Sequence, residues 1–381
     1  MIFCVLAITL VFAGPTLAAT SSQAQGKLLT EVVEFAGALT FRSAKVPGFV
    51  IAAVRDGETA VAGFGEIADG RGKAPDGDTL MRVGSISKVF CGAALASLVA
   101  DGSIKLTDRL RDRLGWDAEV PTKDGREIRV IDLVTHASGL PREVPRPEAP
   151  DTDPFGTNTK EALIAGLEGD PLLFAPGTGA LYSNWGFDLL GATLASVSGK
   201  PYATLLEARI FGPLGMKDSV FNPRPGDETR LMQGHNFDGS PMPAAPTPIA
   251  IECAGGLHTT PNDMLAWMKW HLDRFATEDA EMRLLDHAAY LYRDGLNPAF
   301  GFDEGGGEMD AIGLGWVVMM PEGNRPLILQ KTGGLQGMFA YVAIAPTRGV
   351  GVFVAMNEFN IGGLSAAIAT ATGLITELAP R

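Results

Sequence analysis

The sequence predicts an α+β fold in which an antiparallel sheet, drawn from both ends of the chain, packs beside a mostly helical middle region. Two apolar runs, residues 49–54 and 59–64, flank Asp56-Gly57, a dipeptide typical of β-hairpin turns. Four further strand-like runs lie near the C-terminus, and a helical apolar pattern precedes the hairpin. We therefore expect about five or six antiparallel strands, flanked by N- and C-terminal helices.

Helices are predicted at residues 28–41 and 89–100, where apolar residues recur at helical spacing. The second helix ends at Asp101-Gly102, because glycine suits the left-handed residue that closes a helix. Short helical pieces and long polar loops follow, including a proline-rich stretch at residues 141–155. The late strands and the closing helix are predicted at residues 315–320, 327–331, 339–345, 350–356 and 364–378.

The N-terminus is typical of a secretory signal peptide over residues 1–19. An apolar run at residues 2–12 precedes a small-residue stretch that ends at Ala18 and Ala19, and the first charged residue is Lys27. No Lys or Arg precedes the apolar run, which departs from the usual pattern. Because the run is too short to span a bilayer comfortably, we expect cleavage and export to the periplasm, with a retained anchor as the alternative.

The remaining chain is expected to form two regions. Residues 20–84 and 313–381 supply the sheet region, and residues 85–312 supply the mostly helical region. The residues that carry chemistry, described below, fall on both sides of this division. We therefore expect the active site at the seam between the two regions.

The composition excludes several kinds of function. The chain has 381 residues and a net charge of -13, and no cluster of Lys or Arg stands out, so nucleic acid is not expected as a partner. After removal of Cys4 with the signal peptide, Cys91 and Cys253 lie in apolar segments, and we expect two buried free thiols rather than one disulfide. No histidine pair has the spacing of metal ligands, so we expect neither a metal nor a cofactor; the histidines are His136, His235, His258, His271 and His287.

Ser85 and Lys88 form the first chemical pair, at the start of the predicted helix 89–100. Residues three apart share a helix face, so the hydroxyl and the amine are expected side by side. A serine nucleophile needs an adjacent base, and a lysine of lowered pKa can supply one. Alone the pair is equally typical of a serine N-cap followed by a solvated lysine.

Two further motifs change this interpretation. Tyr182-Ser183-Asn184 precedes an apolar helix, and Lys331-Thr332-Gly333-Gly334 follows the strand that starts at residue 327. Each motif alone is weak, since a buried tyrosine and a strand-end lysine are common. The patterns S-x-x-K, Y-x-N and K-T-G each occur once, in the order that one chemistry needs.

With these motifs, the chain resembles the serine β-lactamase/penicillin-binding-protein family, in its class C-like branch. It also shares the phrases THASGLPRE at residues 135–143 and YSNWGFDLLGATLASVSGKPY at residues 182–202. The resemblance covers roughly residues 46–378 and implies a β-lactamase/transpeptidase-like fold. It further implies acyl transfer, in which a serine attacks a carbonyl and water later releases the acyl group.

The resemblance implies a role for each catalytic residue. Ser85 is the nucleophile, and Lys88 accepts its proton because the nearby charge of Lys331 lowers the pKa of the amine. Tyr182 relays the proton to the leaving group, and Asn184 holds Lys88 and the substrate amide. The same positive field favours a phenolate, so Lys88 and Tyr182 both remain candidates for the formal base.

The resemblance also implies the groups that bind substrate. The backbone amide of Gly334, with that of the nucleophile, forms the oxyanion hole. Gly333 and Gly334 leave room for a peptide to lie along the strand as an added strand. Thr332 and Lys331 meet the terminal carboxylate of the substrate. Glu143 contacts the acyl side chain of the substrate, with a solvated loop acid as the alternative.

The function expected from the resemblance is an exported serine DD-peptidase, a D-alanyl-D-alanine carboxypeptidase/endopeptidase whose partners are peptidoglycan stem peptides and β-lactams. A class C-type β-lactamase or an esterase would use the same residues with a different deacylation rate. A penicillin-binding sensor without turnover is the alternative of another class. A loose association with the membrane is a further expectation.

Overall fold

The computed structural model describes residues 16–302 and 309–381, with side chains described from Gly26 onward. The predicted signal peptide falls outside the described residues except for its last four positions, which begin the first helix. The predicted fold class is confirmed. An antiparallel sheet of eight strands is flanked by the N- and C-terminal helices on one face and by a mostly helical region on the other.

The sheet draws its strands from both ends of the chain, in the spatial order β2-β1-β14-β13-β12-β11-β10-β8. Its members and the short strands outside it are β1 Gly48–Arg55, β2 Glu58–Gly65, β3 Met81–Arg82, β4 Thr122–Lys123, β5 Arg126–Glu127, β6 Ala180–Leu181, β7 His258–Thr259, β8 Leu291–Tyr292, β9 Ala299–Phe300, β10 Ala311–Ile312, β11 Val317–Met319, β12 Ile328–Leu335, β13 Met338–Ala345 and β14 Val350–Met356.

The helices connect and cover these strands. They are α1 Thr16–Ala44, α2 Ser87–Ala100, α3 Leu110–Arg113, α4 Val130–Val134, α5 Lys160–Glu168, α6 Asn184–Ser198, α7 Tyr202–Leu206, α8 Gly212–Leu214, α9 Pro261–Leu272, α10 Ala280–His287 and α11 Ile361–Leu378. A 3-10 turn, Gly84–Ile86, leads directly into α2.

All six predicted strands are present, and the sheet is wider than the sequence predicted. β1 and β2 form the expected hairpin, with Arg55 opposite Glu58 across the Asp56-Gly57 turn. The two extra strands, β8 and β10, have only two residues each, too few to show an alternating apolar pattern. They come from the part of the chain predicted as helical.

The sheet separates two apolar cores. On one face α1 and α11 pack against each other and against the sheet, and the Thr40 and Thr370 hydroxyls meet at 2.6 Å. On the other face, α2 and α9 bury most of their length against the sheet and the helical region. By length and apolarity α11 could cross a membrane; 39% of it is buried, where it packs against α1 and the sheet.

Cys91 and Cys253 form a disulfide, so the expectation of two free thiols is wrong. Cys91 lies on α2, and Cys253 lies in the segment that packs beside it, with 5.5 Å between the two Cα atoms. That separation is within the range that a disulfide spans. The apolar context of each cysteine correctly indicated burial, but burial of two thiols against each other favours a bridge.

Candidate active site

Ser85 lies in the 3-10 turn before α2, and Lys88 lies in the first turn of that helix. The Lys88 side chain is fully buried, and its Nζ is 3.3 Å from Ser85 Oγ. The Ser87 hydroxyl holds the turn, because it donates to Gly84 O at 2.7 Å and accepts from Leu257 N at 3.0 Å. The predicted side-by-side pair is therefore present.

The turn that carries Ser85 touches the backbone of β12. A Cβ on Gly333 would lie 1.9 Å from Val83 O, and a Cβ on Gly84 would lie 2.7 Å from Gly334 N. Gly84 also has a positive φ of 50°. Glycine is therefore required at these positions because the two backbones approach too closely for any side chain.

Lys88 Nζ has two oxygen acceptors besides its contact with Ser85. It donates to Asn184 Oδ1 at 2.7 Å and to the backbone carbonyl of Ala254 at 2.5 Å. It also lies 5.1 Å from the centre of the Tyr182 ring and 5.3 Å from that of Phe187. The amine is thus enclosed by polar acceptors on one side and aromatic rings on the other.

Asn184 is the first residue of α6, and in this position its side chain reaches Lys88. Ser183 is the N-cap: its Oγ accepts from Gly186 N at 2.9 Å and donates to Pro141 O at 2.7 Å. The backbone N–H of Asn184 in turn donates to Arg142 O at 2.8 Å. The sequence pattern of a capping serine thus fixes the position of the residue that follows it.

Tyr182 joins the helical region to the sheet. Lys331 Nζ, on β12, donates to the Tyr182 hydroxyl at 3.2 Å and lies 4.7 Å from the ring centre. The ring stacks on His136 with 4.4 Å between centroids, and Ser183 N donates to His136 Nδ1 at 3.0 Å. His136 therefore supports the tyrosine loop.

The electrostatics of the site lower three pKa values. Burial lowers the pKa of Lys88, and the charge of Lys331 lowers it further. Burial would raise the pKa of Tyr182, but the charges of Lys331 and Lys88 outweigh that effect and lower it to about 7. Burial and the same two lysines hold the pKa of His136 well below its usual range, so the ring is neutral and accepts through Nδ1.

Lys88 and Tyr182 affect each other's ionisation, because the amine lies 5.1 Å from the centre of the tyrosine ring. A phenolate raises the pKa of Lys88, and an ammonium lowers the pKa of Tyr182. With both pKa values lowered, each group has a larger basic fraction near neutral pH. Either group can then accept a proton from the Ser85 hydroxyl, which lies beside both.

The cavity beside Ser85 has a polar wall and an apolar wall, with a volume of about 540 Å³. Among the described residues, β11 pairs with β12 only as far as Gln330, so residues 331–335 present an open backbone edge on that side. The polar wall includes Ser85, Tyr182, Lys331, Thr332, Gly333 and Gly334, and the apolar wall includes Phe237, Phe339 and Phe359.

Glu143 lies beside the site but does not line this cavity. Asn184 Nδ2 donates to Glu143 Oε1 at 2.5 Å, and Arg142 Nε lies 3.9 Å from the same oxygen. The structure therefore places Glu143 as a partner of Asn184. Its predicted contact with the acyl side chain stays a prediction.

Three further groups at the site were not predicted from the sequence. The guanidinium of Arg142 lines the cavity and lies 5.1 Å from the centre of the Tyr182 ring. The carbonyl of Ala254 accepts from Lys88, and a backbone acceptor leaves no signal in a sequence. Asp188 is buried one helical turn after Asn184, and burial raises its pKa to about 8 despite the hydrogen bond from Asn158. An acid inside the apolar run of α6 was the available signal for Asp188.

One group within the described residues could hold a metal ion, and it does not line the cavity beside Ser85. Ligand atoms of His271, Asp286 and His287 lie within 4.8 Å of one another. His271 Nδ1 and His287 Nε2 are hydrogen-bonded at 2.8 Å, and Trp316 donates to Asp286 Oδ2 at 2.8 Å. The histidines show no metal-ligand spacing in the sequence because His271 lies on α9 and His287 on α10. His271 Nε2 and Asp286 Oδ1 are buried without a hydrogen-bond partner among the described residues.

Comparison with known proteins confirms the predicted family resemblance. The family model described as Beta-lactamase matches residues 27–375. The D-alanyl-D-alanine-carboxypeptidase/endopeptidase AmpH of Escherichia coli K12 is 34% identical over 338 residues, covering 89% of this chain and 86% of that protein.

Solved structures agree with the sequence comparison. A β-lactamase/D-alanine carboxypeptidase from Yersinia pestis, complexed with citrate, matches with a TM-score of 0.83 at 32% identity, covering 92% of this chain and 98% of that one. A class C β-lactamase matches with a TM-score of 0.76 at 19% identity, covering 94% and 98%. At 19% identity, the match with the class C β-lactamase shows that the two proteins share a fold.

Proposed function

We propose, from the premise that this chain belongs to the beta-lactamase family of serine hydrolases, that it is an exported DD-peptidase acting on peptidoglycan stem peptides. The observation that carries the proposal is the convergence of Ser85, Lys88, Tyr182 and Lys331 beside the open edge of β12. The relatives named for D-alanine carboxypeptidase activity support the choice of substrate.

Acylation begins when Ser85 Oγ attacks the carbonyl carbon of the penultimate D-alanine. The hydroxyl proton passes to the neutral Lys88 amine, 3.3 Å away, as the Oγ–C bond forms. The oxyanion accepts hydrogen bonds from the backbone amides of Ser85 and Gly334. The C–N bond then breaks, and Tyr182 delivers the proton to the departing amine of the terminal D-alanine.

Deacylation repeats the proton transfers with water. Lys88 or Tyr182 takes a proton from water as the water oxygen attacks the acyl carbon. The C–Oγ bond breaks and the proton returns to Ser85. The released stem peptide is shorter by one D-alanine, and the same steps on a cross-linked peptide would cut the cross-link.

Substrate binding uses the open edge of β12. A peptide lying beside residues 332–334 would gain backbone hydrogen bonds as an added strand. The terminal carboxylate would meet Lys331 and Thr332, and Arg142 adds a second cationic side chain to this cavity. Cations that bracket one end of the peptide favour a substrate with a free carboxylate.

Two observations support export. The apolar run at residues 2–12 is typical of a signal peptide, and the Cys91–Cys253 disulfide is typical of proteins that fold in oxidising compartments. The peptidoglycan substrate of the proposal lies in such a compartment. We therefore include a periplasmic location in the proposal.

A class C-type β-lactamase is the second candidate, because the Yersinia relative is described by both activities. An esterase and a sensor without turnover are weaker candidates; a complete set of side chains around Ser85 argues against the sensor. The enzymes differ in how fast water attacks the acyl-enzyme. Turnover experiments therefore separate them where residue identity does not.

The test starts with a fluorescent penicillin and continues with a pentapeptide that ends in D-Ala-D-Ala. We expect covalent labelling of the protein, release of D-alanine, and loss of both in Ser85→Ala. Absence of Ser85-dependent labelling would reject the serine-acylation mechanism. Labelling without D-alanine release would favour the sensor, and rapid nitrocefin hydrolysis would favour the β-lactamase.

A further inference from the structure

The Cys91–Cys253 disulfide lies next to the proposed catalytic base. Cys91 is on α2, one helical turn after Lys88, and Cys253 directly precedes Ala254, whose carbonyl accepts from Lys88 Nζ. Both sulfur-bearing side chains are buried. The bridge thus joins the helix that carries the amine to the segment that carries one of its acceptors.

The direction of the Ala254 carbonyl decides where the Lys88 lone pair lies. A neutral amine has two N–H donors and one lone pair. Asn184 Oδ1 at 2.7 Å and Ala254 O at 2.5 Å take the two donors. The remaining position on the nitrogen faces Ser85 Oγ at 3.3 Å, where the lone pair can accept the hydroxyl proton.

The bridge is the covalent tie between α2 and the segment that carries this carbonyl. Within that segment, Gly255 N and Gly256 N donate to Ile251 O at 3.0 and 3.1 Å, so the local turn keeps its own shape. Beyond it, Leu257 accepts from Val83 N at 3.1 Å and donates to the Ser87 hydroxyl at 3.0 Å. Without the bridge, the turn would persist, but the distance from its carbonyl to Lys88 on α2 would lose its covalent constraint.

We propose that the Cys91–Cys253 disulfide is a positioning device for Lys88, which holds the Ala254 carbonyl so that the amine lone pair faces Ser85. This inference rests on the proposed acylation of Ser85. The two cysteines act through Lys88 and do not touch the substrate. The dithiol form of the protein is then a slow acylating enzyme, and the disulfide form is the competent one.

The experiment compares two redox forms of the same chain. The dithiol form is purified under reducing conditions. The disulfide form is made from it with oxidised glutathione, which takes up two electrons and two protons and becomes two molecules of glutathione. Thiol counting in denaturant verifies each form. The acylation rate with a fluorescent penicillin is then measured from pH 5 to pH 10.

We expect the plateau rate of the dithiol form to be about 10- to 100-fold lower, because a small displacement of a catalytic group has effects of that size. We also expect its acylation rate to rise at lower pH than that of the disulfide form. A misplaced carbonyl stabilises the ammonium of Lys88 less well, which lowers the pKa of the amine. A bridge that only stabilises the fold would change neither quantity at a temperature well below unfolding.

The controls separate positioning from stability. Ile375→Ala creates a cavity in the core on the other face of the sheet, and its disulfide form should keep the wild-type rate and pH profile. The variant Cys91→Ala/Cys253→Ala should acylate like the dithiol form. Equal rates in all folded forms would overturn the positioning role, as would failure of both the dithiol form and the double variant to fold. If the disulfide form itself is not labelled, the proposed function fails instead.

Discussion

The Lys331 amine, on the sheet, donates to the Tyr182 hydroxyl, in the helical region, across 3.2 Å. The contact joins a strand of the sheet to the loop before α6, between residues that are 149 apart in the sequence. It brings a positive charge to a buried phenol and lowers its pKa to about 7. The protonation state of Tyr182 therefore depends on a lysine of the sheet.

Lys331→Ala is expected to move the rising limb of acylation to higher pH. Its charge lowers the pKa of both Tyr182 and Lys88, so removing it raises both and delays formation of the basic group as pH rises. The measurement is the acylation rate against pH with a fluorescent penicillin. Lys331→Arg keeps the charge and is the control that should keep the limb near its wild-type position. An unchanged limb in Lys331→Ala would contradict the electrostatic coupling.

Tyr182→Phe is expected to slow acylation by about 10²- to 10⁴-fold, the usual contribution of a general acid or base. The ring can still stack on His136, so the fold should be retained. Rapid-quench labelling measures the rate, and thermal unfolding checks the fold. His136→Phe is a useful comparison, because it disturbs the support of the ring and keeps the hydroxyl. A wild-type rate in Tyr182→Phe would leave Lys88 as the sole base.

Gly333→Ala is expected to destabilise the protein by about 1–3 kcal/mol and to impair acylation, as overpacking does. Its Cβ would lie 1.9 Å from Val83 O, so β12 or the Ser85 turn must move. Gly373→Ala is the matched control, because a Cβ there meets nothing within 4 Å and should stabilise α11 slightly. Urea unfolding and penicillin labelling measure both effects. Equal behaviour of the two variants would show that the close approach is unimportant.

In Asp286→Asn, the free energy of unfolding is expected to fall less between pH 6.5 and pH 8 than it does in the wild-type protein. Burial raises the pKa of Asp286 to about 8, well above its unfolded value, so the folded state binds the extra proton and stability falls as pH rises through this window. The depressed pKa values of His271 and His287 act below pH 6.5 with the opposite sign.

Between pH 6.5 and pH 8, the wild-type protein is expected to lose about 2 kcal/mol more unfolding free energy than Asp286→Asn. Urea unfolding at pH 6.5 and pH 8 measures it. Asp56→Asn, an exposed acid in a turn, controls for the change of net charge. The prediction fails if the two variants show the same change in unfolding free energy between the two pH values.

The sequence predicted the parts of the site that are carried by short motifs. S-x-x-K, Y-x-N and K-T-G are local patterns, and the hairpin turn at Asp56-Gly57 is equally local, so residue order alone identified them. Their proximity followed from the family resemblance. The structure then brings Ser85, Lys88, Tyr182, Asn184 and Lys331 together as expected.

The sequence could not predict features that depend on distant partners. Cys91 and Cys253 are 162 residues apart, and apolar surroundings are compatible with free thiols as well as with a bridge. An even number of cysteines in a chain expected to be exported was the signal that favoured pairing. The Ala254 carbonyl and the cluster at His271 gave no signal, because backbone acceptors and through-space neighbours are absent from a linear pattern.

The pairing of β1 with β14 makes the order of synthesis matter. Phe49 lies opposite Met356, so one edge of the first hairpin has no partner until the end of the chain has been made. At the usual speed of a ribosome, about 5–20 residues per second, that edge waits from roughly 15 to 60 s. An unpaired strand edge is a template for aggregation. A nascent chain of this protein therefore needs shielding until its last strand arrives, and a chain that stops before Val350 leaves the edge permanently exposed.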